Sequence, residues 1–254
     1  MRSTISVLTV AALLLAAAPA QAAAAPKDPV KALKALMLPG KGVTFTDVTH
    51  LPIEGRPTVT LMRRTGKLGF GRGKIAASDI TATYTKDGVS RLRDLARDGR
   101  TIRIGGVTYS SGGEYTGALP KGKRWFKQAK GGMTGGTNGW FGQVVNAAEP
   151  STLAALIKEG KRSGGTYSGT LTMGYLGRVS PWFDATMPIR FDSSKVTYKL
   201  TIGANGLPLR LRTTFPPAGS WEDTPVTVET RYQGWGRKVS VKAPDSKLVT
   251  TKEL

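Results

Sequence analysis

The clearest alternation of apolar and polar residues lies between residues 195 and 215. In the first half, KVTYKLTI, every second residue is apolar, and Leu207, Leu209 and Leu211 continue the pattern in the second half. The segment Gly203–Gly206 supplies glycines for a tight turn between the two runs. The pattern predicts a β-hairpin with one buried face and one solvated face. The solvated face is basic, because arginines alternate with the leucines.

Similar but less regular alternation runs through most of the chain, and glycine is abundant, with 32 residues in 254. Both features favour a mainly β fold with many tight turns. Strands are predicted at Gly42–Tyr84, Val89–Ala96, Thr101–Gly112, Thr166–Tyr175, Val226–Tyr232 and Lys238–Lys242. The last residues, from Ala243 onward, read as a polar tail.

Short helices are predicted at three places. The first begins at Pro29 behind Asp28, which is a good N-cap residue, and ends before Pro39. The second begins at Pro150, and the third is a single turn at Ser180–Phe183. Few short helices beside many strands make the fold class mainly β, of the α+β type.

The N-terminal segment Met1–Ala22 is typical of a secretory signal peptide. It has a basic start, an apolar run from Ile5 to Ala18 and small residues at its end. The run is shorter than the roughly 20 residues that span a bilayer. We therefore expect cleavage near Ala22, a flexible tether over residues 23–29, one domain over residues 30–254, and a secreted, extracytoplasmic protein.

Two features of the composition limit how the protein is held together and where it acts. The chain has no cysteine, so it has neither disulfides nor the residue on which a bacterial lipid anchor is built. It carries 37 Lys and Arg against 17 Asp and Glu, a formal net charge of +20. Basic residues such as Arg63 and Arg64 are dispersed along the chain, which favours a solvated basic surface over a nucleic-acid site.

The sequence offers no pattern typical of an enzyme. His50 is the only histidine, and the chain has neither G-x-S-x-G nor clustered residues with metal-ligand spacing. The segment Gly117–Lys123 has the spacing of a phosphate-binding loop, but Arg124 stands where a Ser or Thr must hold magnesium. We expect a non-catalytic protein without a cofactor or metal.

Apolar bulk on the short helices and loops is the remaining candidate for a binding site. These side chains either fill the core or line a cavity for an apolar ligand, and both alternatives stay open at this stage. The candidate cavity residues are Trp140, Phe141, Leu153, Leu156, Ile157, Tyr175, Trp182 and Phe183.

Several short motifs resemble a known family. They are Gly206–Arg210 (GLPLR), Tyr232-x-x-Trp235-Gly236 leading into Val239–Pro244, and the helix start Glu149-Pro150. They resemble actinobacterial LppX/LprG-type envelope proteins, whose fold is LolA-like, with RseB-like sensors as a related branch. The resemblance implies a curved antiparallel half-barrel with short helices across its concave side, and an apolar cavity for acylated lipids or lipoproteins. Family members of the lipoprotein type carry a lipidated cysteine after the signal, which this chain lacks.

Two hypotheses follow for the function. The first is a monomeric, secreted carrier or sensor that binds an acylated lipid or lipoprotein. The second is a basic interaction protein with a solid core, which docks on anionic wall polymer, a membrane surface or a membrane regulator. Ionic strength separates the two, because charge-driven docking weakens steeply with salt and burial of an acyl chain hardly changes.

Overall fold

The computed structural model describes residues 28–53, 55–87, 90, 97–129, 139–187, 190–217 and 225–252. Its main feature is a 12-stranded sheet. The strands are β1 (Lys41–Ile53), β2 (Arg56–Gly71), β3 (Lys74–Tyr84), β4 (Gly99–Ile104), β5 (Val107–Gly112), β6 (Trp125–Gln128), β7 (Lys161–Ser163), β8 (Thr166–Thr172), β9 (Lys195–Ile202), β10 (Pro208–Phe215), β11 (Val226–Lys238) and β12 (Val249–Thr250). The helices are α1 (Pro29–Leu36), α2 (Pro150–Lys158), α3 (Met173–Val179) and α4 (Pro181–Thr186).

The strands follow the order β12-β6-β5-β4-β3-β2-β1-β11-β10-β9-β8-β7. Every neighbouring pair is antiparallel except β12 and β6, which are parallel. Strands β1 to β6 form one meander, and pairing of β11 with β1 joins it to the C-terminal strands. The prediction of a mainly antiparallel β fold with a few short helices is confirmed, whereas the half-barrel curvature stays a prediction.

Alternation along the strands gives the sheet an inner face, which is buried, and an outer face. On β9, Val196, Tyr198 and Leu200 are buried, while the residues between them are exposed. The Tyr198 hydroxyl donates a hydrogen bond to the Leu156 carbonyl of α2 at 2.8 Å, so α2 covers the inner face. Burial, with Glu159 nearby, raises the pKa of Tyr198 to about 12, which keeps this hydroxyl a donor.

The predicted helix starts are confirmed. Asp28 caps α1, because its carboxylate accepts hydrogen bonds from the backbone of Val30 and Lys31. At α4 the Ser180 hydroxyl accepts from the backbone N–H of Phe183 at 3.0 Å. A proline holds the first position of α1, α2 and α4, where its missing N–H is not needed.

Three predictions in the C-terminal half are wrong in detail. The strand predicted over Thr166–Tyr175 ends at Thr172, because the Thr172 hydroxyl caps α3 through the backbone N–H of Tyr175. Leu209 is 46% exposed, since a register shift between Pro208 and Arg210 breaks the alternation. The third concerns the end of the chain.

No strand forms over Lys238–Lys242; instead β11 ends at Lys238 and the next residues cross the outer face. Val239 lies directly over Gly42, and a methyl of Val241 is 3.8 Å from the position of a Cβ on Gly69. The chain then reaches β6, where Val249 and Thr250 form β12 rather than a free polar tail. Small residues on the outer face of β1 and β2 therefore make room for the crossing segment.

Some predictions concern residues that the structure does not describe. The proposed signal peptide, the tether up to residue 27 and the strand Val89–Ala96, apart from Ser90, lie outside the described residues. Where the chain is described, no helix is both long and apolar enough to cross a membrane.

Candidate functional site

A cleft of about 960 Å³ opens between the helices and two turns of the sheet. It lies between α1, the N-terminal ends of α2 and α4, the turn from β2 to β3 and the turn from β4 to β5. Much of its wall is apolar. The apolar wall residues include Val30, Ile75, Ile104, Pro150, Ala154 and Trp182.

The rim of the cleft is mainly cationic. Lys34, Lys74 and Arg103 line it, and none of them forms an ion pair with another described residue. The only carboxylate among the described lining residues is that of Glu149. The cleft therefore combines an apolar wall with a positive local potential.

The Glu149 carboxylate is already fully engaged by its neighbours. One oxygen accepts hydrogen bonds from the hydroxyls of Thr152 and Ser180, both at 2.5 Å, and the other accepts from the backbone N–H of Trp182 at 3.1 Å. Glu149 thus joins the N-terminal ends of α2 and α4, where negative charge is favourable. This arrangement fixes the wall that α2 and α4 present to the cleft.

Of the eight predicted cavity residues, one lines the cleft and the other seven lie in the core or pack against it. Trp182 lines the cleft, while Phe141, Leu153, Leu156 and Phe183 are buried in the hydrophobic core. The other three pack half-buried against that core: Trp140, Ile157 and Tyr175. Contact of any of the eight with a ligand stays a prediction.

Sequence reasoning missed most of the wall, including Val30, Ile104 and Ala154. These residues come from elements far apart in the chain, and no local pattern indicates that they meet. The helix start at Glu149-Pro150 was the only local signal for this end of α2. It pointed to the helix and not to the cleft beside it.

A buried ion pair lies on the inner face of the sheet. Asp47 of β1 stands opposite Arg64 of β2, and their side chains are 0% and 1% exposed. The Arg64 Nε and Nη2 atoms donate to one oxygen of Asp47 at 2.9 and 2.5 Å, and Nη2 also donates to the Gln143 carbonyl at 3.3 Å. The prediction that Arg64 belongs to the solvated surface is wrong.

The segment that follows residue 140 covers this ion pair through further hydrogen bonds. The Gln143 side chain donates to the hydroxyl of Thr230 at 2.9 Å and accepts from that of Thr213 at 2.8 Å. The Tyr232 hydroxyl accepts from the Ala147 N–H at 3.1 Å. Burial, with the Asp47 charge nearby, raises the pKa of Tyr232, so its hydroxyl stays protonated.

Three polar atoms at the ion pair have no hydrogen-bond partner among the residues that the structure describes. They are the second carboxylate oxygen of Asp47, Nη1 of Arg64 and Nε1 of Trp182, and all three are buried. These residues line a small cavity of about 10 Å³, which is the size of a single water site. Trp182 lines both this cavity and the cleft.

Neither a protein-family model nor a curated protein sequence matches this chain. Among solved structures, the chain is similar to a LolA superfamily protein from Nitrosomonas europaea. The identity is 9%, the alignment covers 81% of this chain and 90% of that chain, and the TM-score is 0.31. A likeness at this level carries no inference about what either chain binds, and membership of the LppX/LprG-type family stays a prediction.

Proposed function

We propose that the cleft binds the acyl part of an anionic amphiphile, and that the protein is a non-catalytic carrier or sensor of acylated lipids or lipoproteins. The observation that carries the proposal is the cleft itself, with its apolar wall and cationic rim. A volume of about 960 Å³ is at the upper end of the range of ligand-binding clefts.

The apolar wall supports binding of a hydrocarbon chain. Each methylene removed from water contributes about 0.8 kcal/mol, so six buried methylenes contribute roughly 5 kcal/mol before the costs of association. The interior beneath α2 is filled, since Leu153 and Leu156 are 0% exposed. The acyl chain is therefore expected to lie along the cleft, with part of its length buried, and not to pass through the core.

The rim supports a negative head group. Lys34, Lys74 and Arg103 have no ion-pair partner among the described residues, whereas Glu149 is occupied by hydrogen bonds from α2 and α4. A phosphate or carboxylate near the acyl chain would find cations on the rim without displacing an existing partner. A neutral amphiphile of equal chain length is expected to bind more weakly.

The test uses a fluorescent fatty acid and a pair of matched variants. Ala154→Glu places a charged side chain on the exposed, cleft-lining side of α2. Ala35→Glu makes the same change at an exposed position of α1 that is not among the cleft residues. We expect Ala154→Glu to weaken probe binding at least tenfold, while Ala35→Glu leaves it within about twofold. Equal thermal midpoints would show that both variants are folded.

Native mass spectrometry of the secreted protein provides the second measurement. A stoichiometric lipid that remains bound at high salt supports the proposal, because burial of hydrocarbon is little affected by screening. A protein that carries no lipid and takes up no acyl probe would overturn it. An Ala154→Glu variant that binds the probe as tightly as the unchanged protein would show that the cleft is not the site.

A further inference from the structure

The outer face of strands β8 to β11 carries a second candidate surface, on the side of the sheet opposite α2. We call it the basic face and define it by Lys199, Arg210, Arg212 and Arg231, all of which are exposed. Its other outward positions on these strands are mainly threonine and serine. Those in register with the basic residues are Thr166, Ser168 and Thr201.

The strand register brings like charges directly opposite each other. Arg210 stands opposite Arg231, and Arg212 stands opposite Lys199. Such pairs repel each other and destabilise a sheet when no counter-charge is present. Glu229 is the only acidic residue at the described outward positions of these strands, and its carboxylate is 3.8 Å from Arg212 Nε. The face therefore holds more positive charge than its own carboxylate can balance.

We propose that the basic face docks on the surface of a bilayer containing anionic phospholipids. Arginine guanidinium groups and threonine hydroxyls are hydrogen-bond donors suited to phosphate oxygens. Four strands span about 14 Å across the sheet, which is wide enough to meet several head groups at once. Each cation held near such a surface strengthens binding about fivefold.

An exposed leucine favours a bilayer over a soluble polyanion as the partner. Leu209, beside Arg210, is 46% exposed at the β-bulge near the hairpin turn. An apolar side chain next to arginines gains from the interface of a bilayer, where hydrocarbon and phosphate lie close together. A hydrophilic wall polymer offers phosphate but no hydrocarbon surface for Leu209 to contact.

Docking through this face would leave the cleft unobstructed. The cleft lies among α1, α2 and α4, and α2 covers the inner face of the sheet through the hydrogen bond from Tyr198 to Leu156. The basic face points the opposite way, because its residues alternate with the buried ones on β9 and β10. Membrane docking is thus independent of what the cleft binds, and the two can be tested separately.

The test is co-sedimentation with vesicles of phosphatidylcholine, with and without phosphatidylglycerol. The double variant Arg210→Gln/Arg231→Gln removes two charges from the basic face. The control Arg72→Gln/Lys121→Gln removes two exposed charges from turns elsewhere. We expect the first to weaken binding to anionic vesicles about 25-fold and the control less than threefold. Uptake of the fluorescent fatty acid should be the same in both variants.

Two further measurements complete the test. Leu209→Ser should weaken binding to anionic vesicles two- to threefold and leave binding to soluble poly(glycerol phosphate) unchanged. Binding to the vesicles should also fall steeply towards 1 M salt, where the Debye length is about 3 Å. Equal losses in the two double variants would overturn the proposal, because net charge alone would then explain binding. Binding to the soluble polymer without binding to vesicles would overturn it as well.

Discussion

Arg63 and Arg64 are neighbours on β2, but they lie in opposite environments. Arg64 points to the inner face, is 1% exposed and has Asp47 and the Gln143 carbonyl as partners. Arg63 points to the outer face, is exposed, and stands opposite Val48 of β1. A buried arginine requires a nearby counter-charge and hydrogen bonds, whereas an exposed one keeps its hydration. An arginine on the inner face is thus held in place by its partners, whereas an arginine on the outer face is available to other molecules.

The largest effect on stability is expected at Asp47, which supplies the counter-charge of the buried Arg64. Asp47→Asn removes the charge that balances Arg64 and keeps the size of the side chain. We expect the free energy of unfolding to fall by about 3–5 kcal/mol, because an unpaired guanidinium is left buried. Urea denaturation measures the change, with Arg63→Gln as a control expected to stay within about 0.5 kcal/mol.

The double variant Asp47→Leu/Arg64→Leu sharpens this test. Replacing both members of a buried ion pair by apolar residues is often close to neutral, so it should cost much less than the sum of the two single changes. A loss below about 1 kcal/mol in Asp47→Asn would contradict the view that Arg64 depends on its partner.

The second prediction concerns the glycine that covers the ion pair. A Cβ on Gly142 would overlap the guanidinium of Arg64. Gly142→Ala should therefore lower the free energy of unfolding by about 1–3 kcal/mol through overpacking. Gly106→Ala is the matched control, since nothing lies within 4 Å of its Cβ position. Similar stability of the two variants in urea would show that Arg64 can move aside.

The third prediction uses the outer ion pair of Asp79. Burial alone would raise the pKa of Asp79, but the hydrogen bonds and charges of Arg100 and Lys67 outweigh it and lower that pKa. The unfolded chain therefore binds a proton more readily, so this stabilisation is present above the ordinary pKa of about 3.9 and is lost as the pH falls through the lower folded value.

Arg100→Gln is expected to reduce the stability at neutral pH by about 1 kcal/mol, a value discounted because the Arg100 side chain is 47% exposed. The difference from the unchanged protein should shrink as the pH falls below about 3.9, as measured by urea titrations at several pH values. A difference that stays constant down to the acid limit would mean that packing, and not charge, is responsible.

The smallest effect on stability is expected at Glu229. Glu229→Gln removes the carboxylate from the basic face and should change the free energy of unfolding by less than about 0.5 kcal/mol. It should also strengthen binding to phosphatidylglycerol vesicles severalfold, because the face becomes more positive. Weaker binding of this variant would show that Glu229 helps to position Arg212 for the partner.

Local patterns predicted the local elements of the fold well. Alternation located β9 and β10, and the cap residues Asp28 and Ser180 located the starts of α1 and α4. A signal for the buried ion pair was present too, because Asp47 is in phase with the apolar residues Val43 and Phe45 on β1, and all three are buried. An acidic residue at such a position indicates a buried partner.

The cleft could not be predicted in the same way. Its wall combines residues from near positions 30, 75, 104, 150 and 182, which meet only through long-range pairing of strands and packing of helices. The exposure of Leu209 was equally hidden, since a β-bulge changes which face a side chain takes without changing the sequence pattern. Trp182 lines the cleft, but Phe183 on the same helix and Phe141, proposed for the same reason, lie in the core.

Strand β12 covers a border of the sheet that would otherwise be open. Strand β6 would form one border of the sheet if Val249 and Thr250 did not pair with it. An uncovered border strand is a template for pairing with another molecule. Residues 249 and 250 reach β6 only because the preceding segment, with Val239 and Val241, crosses over Gly42 and Gly69. A copy in which this segment leaves the sheet exposes the border of β6, and another copy can then pair with it.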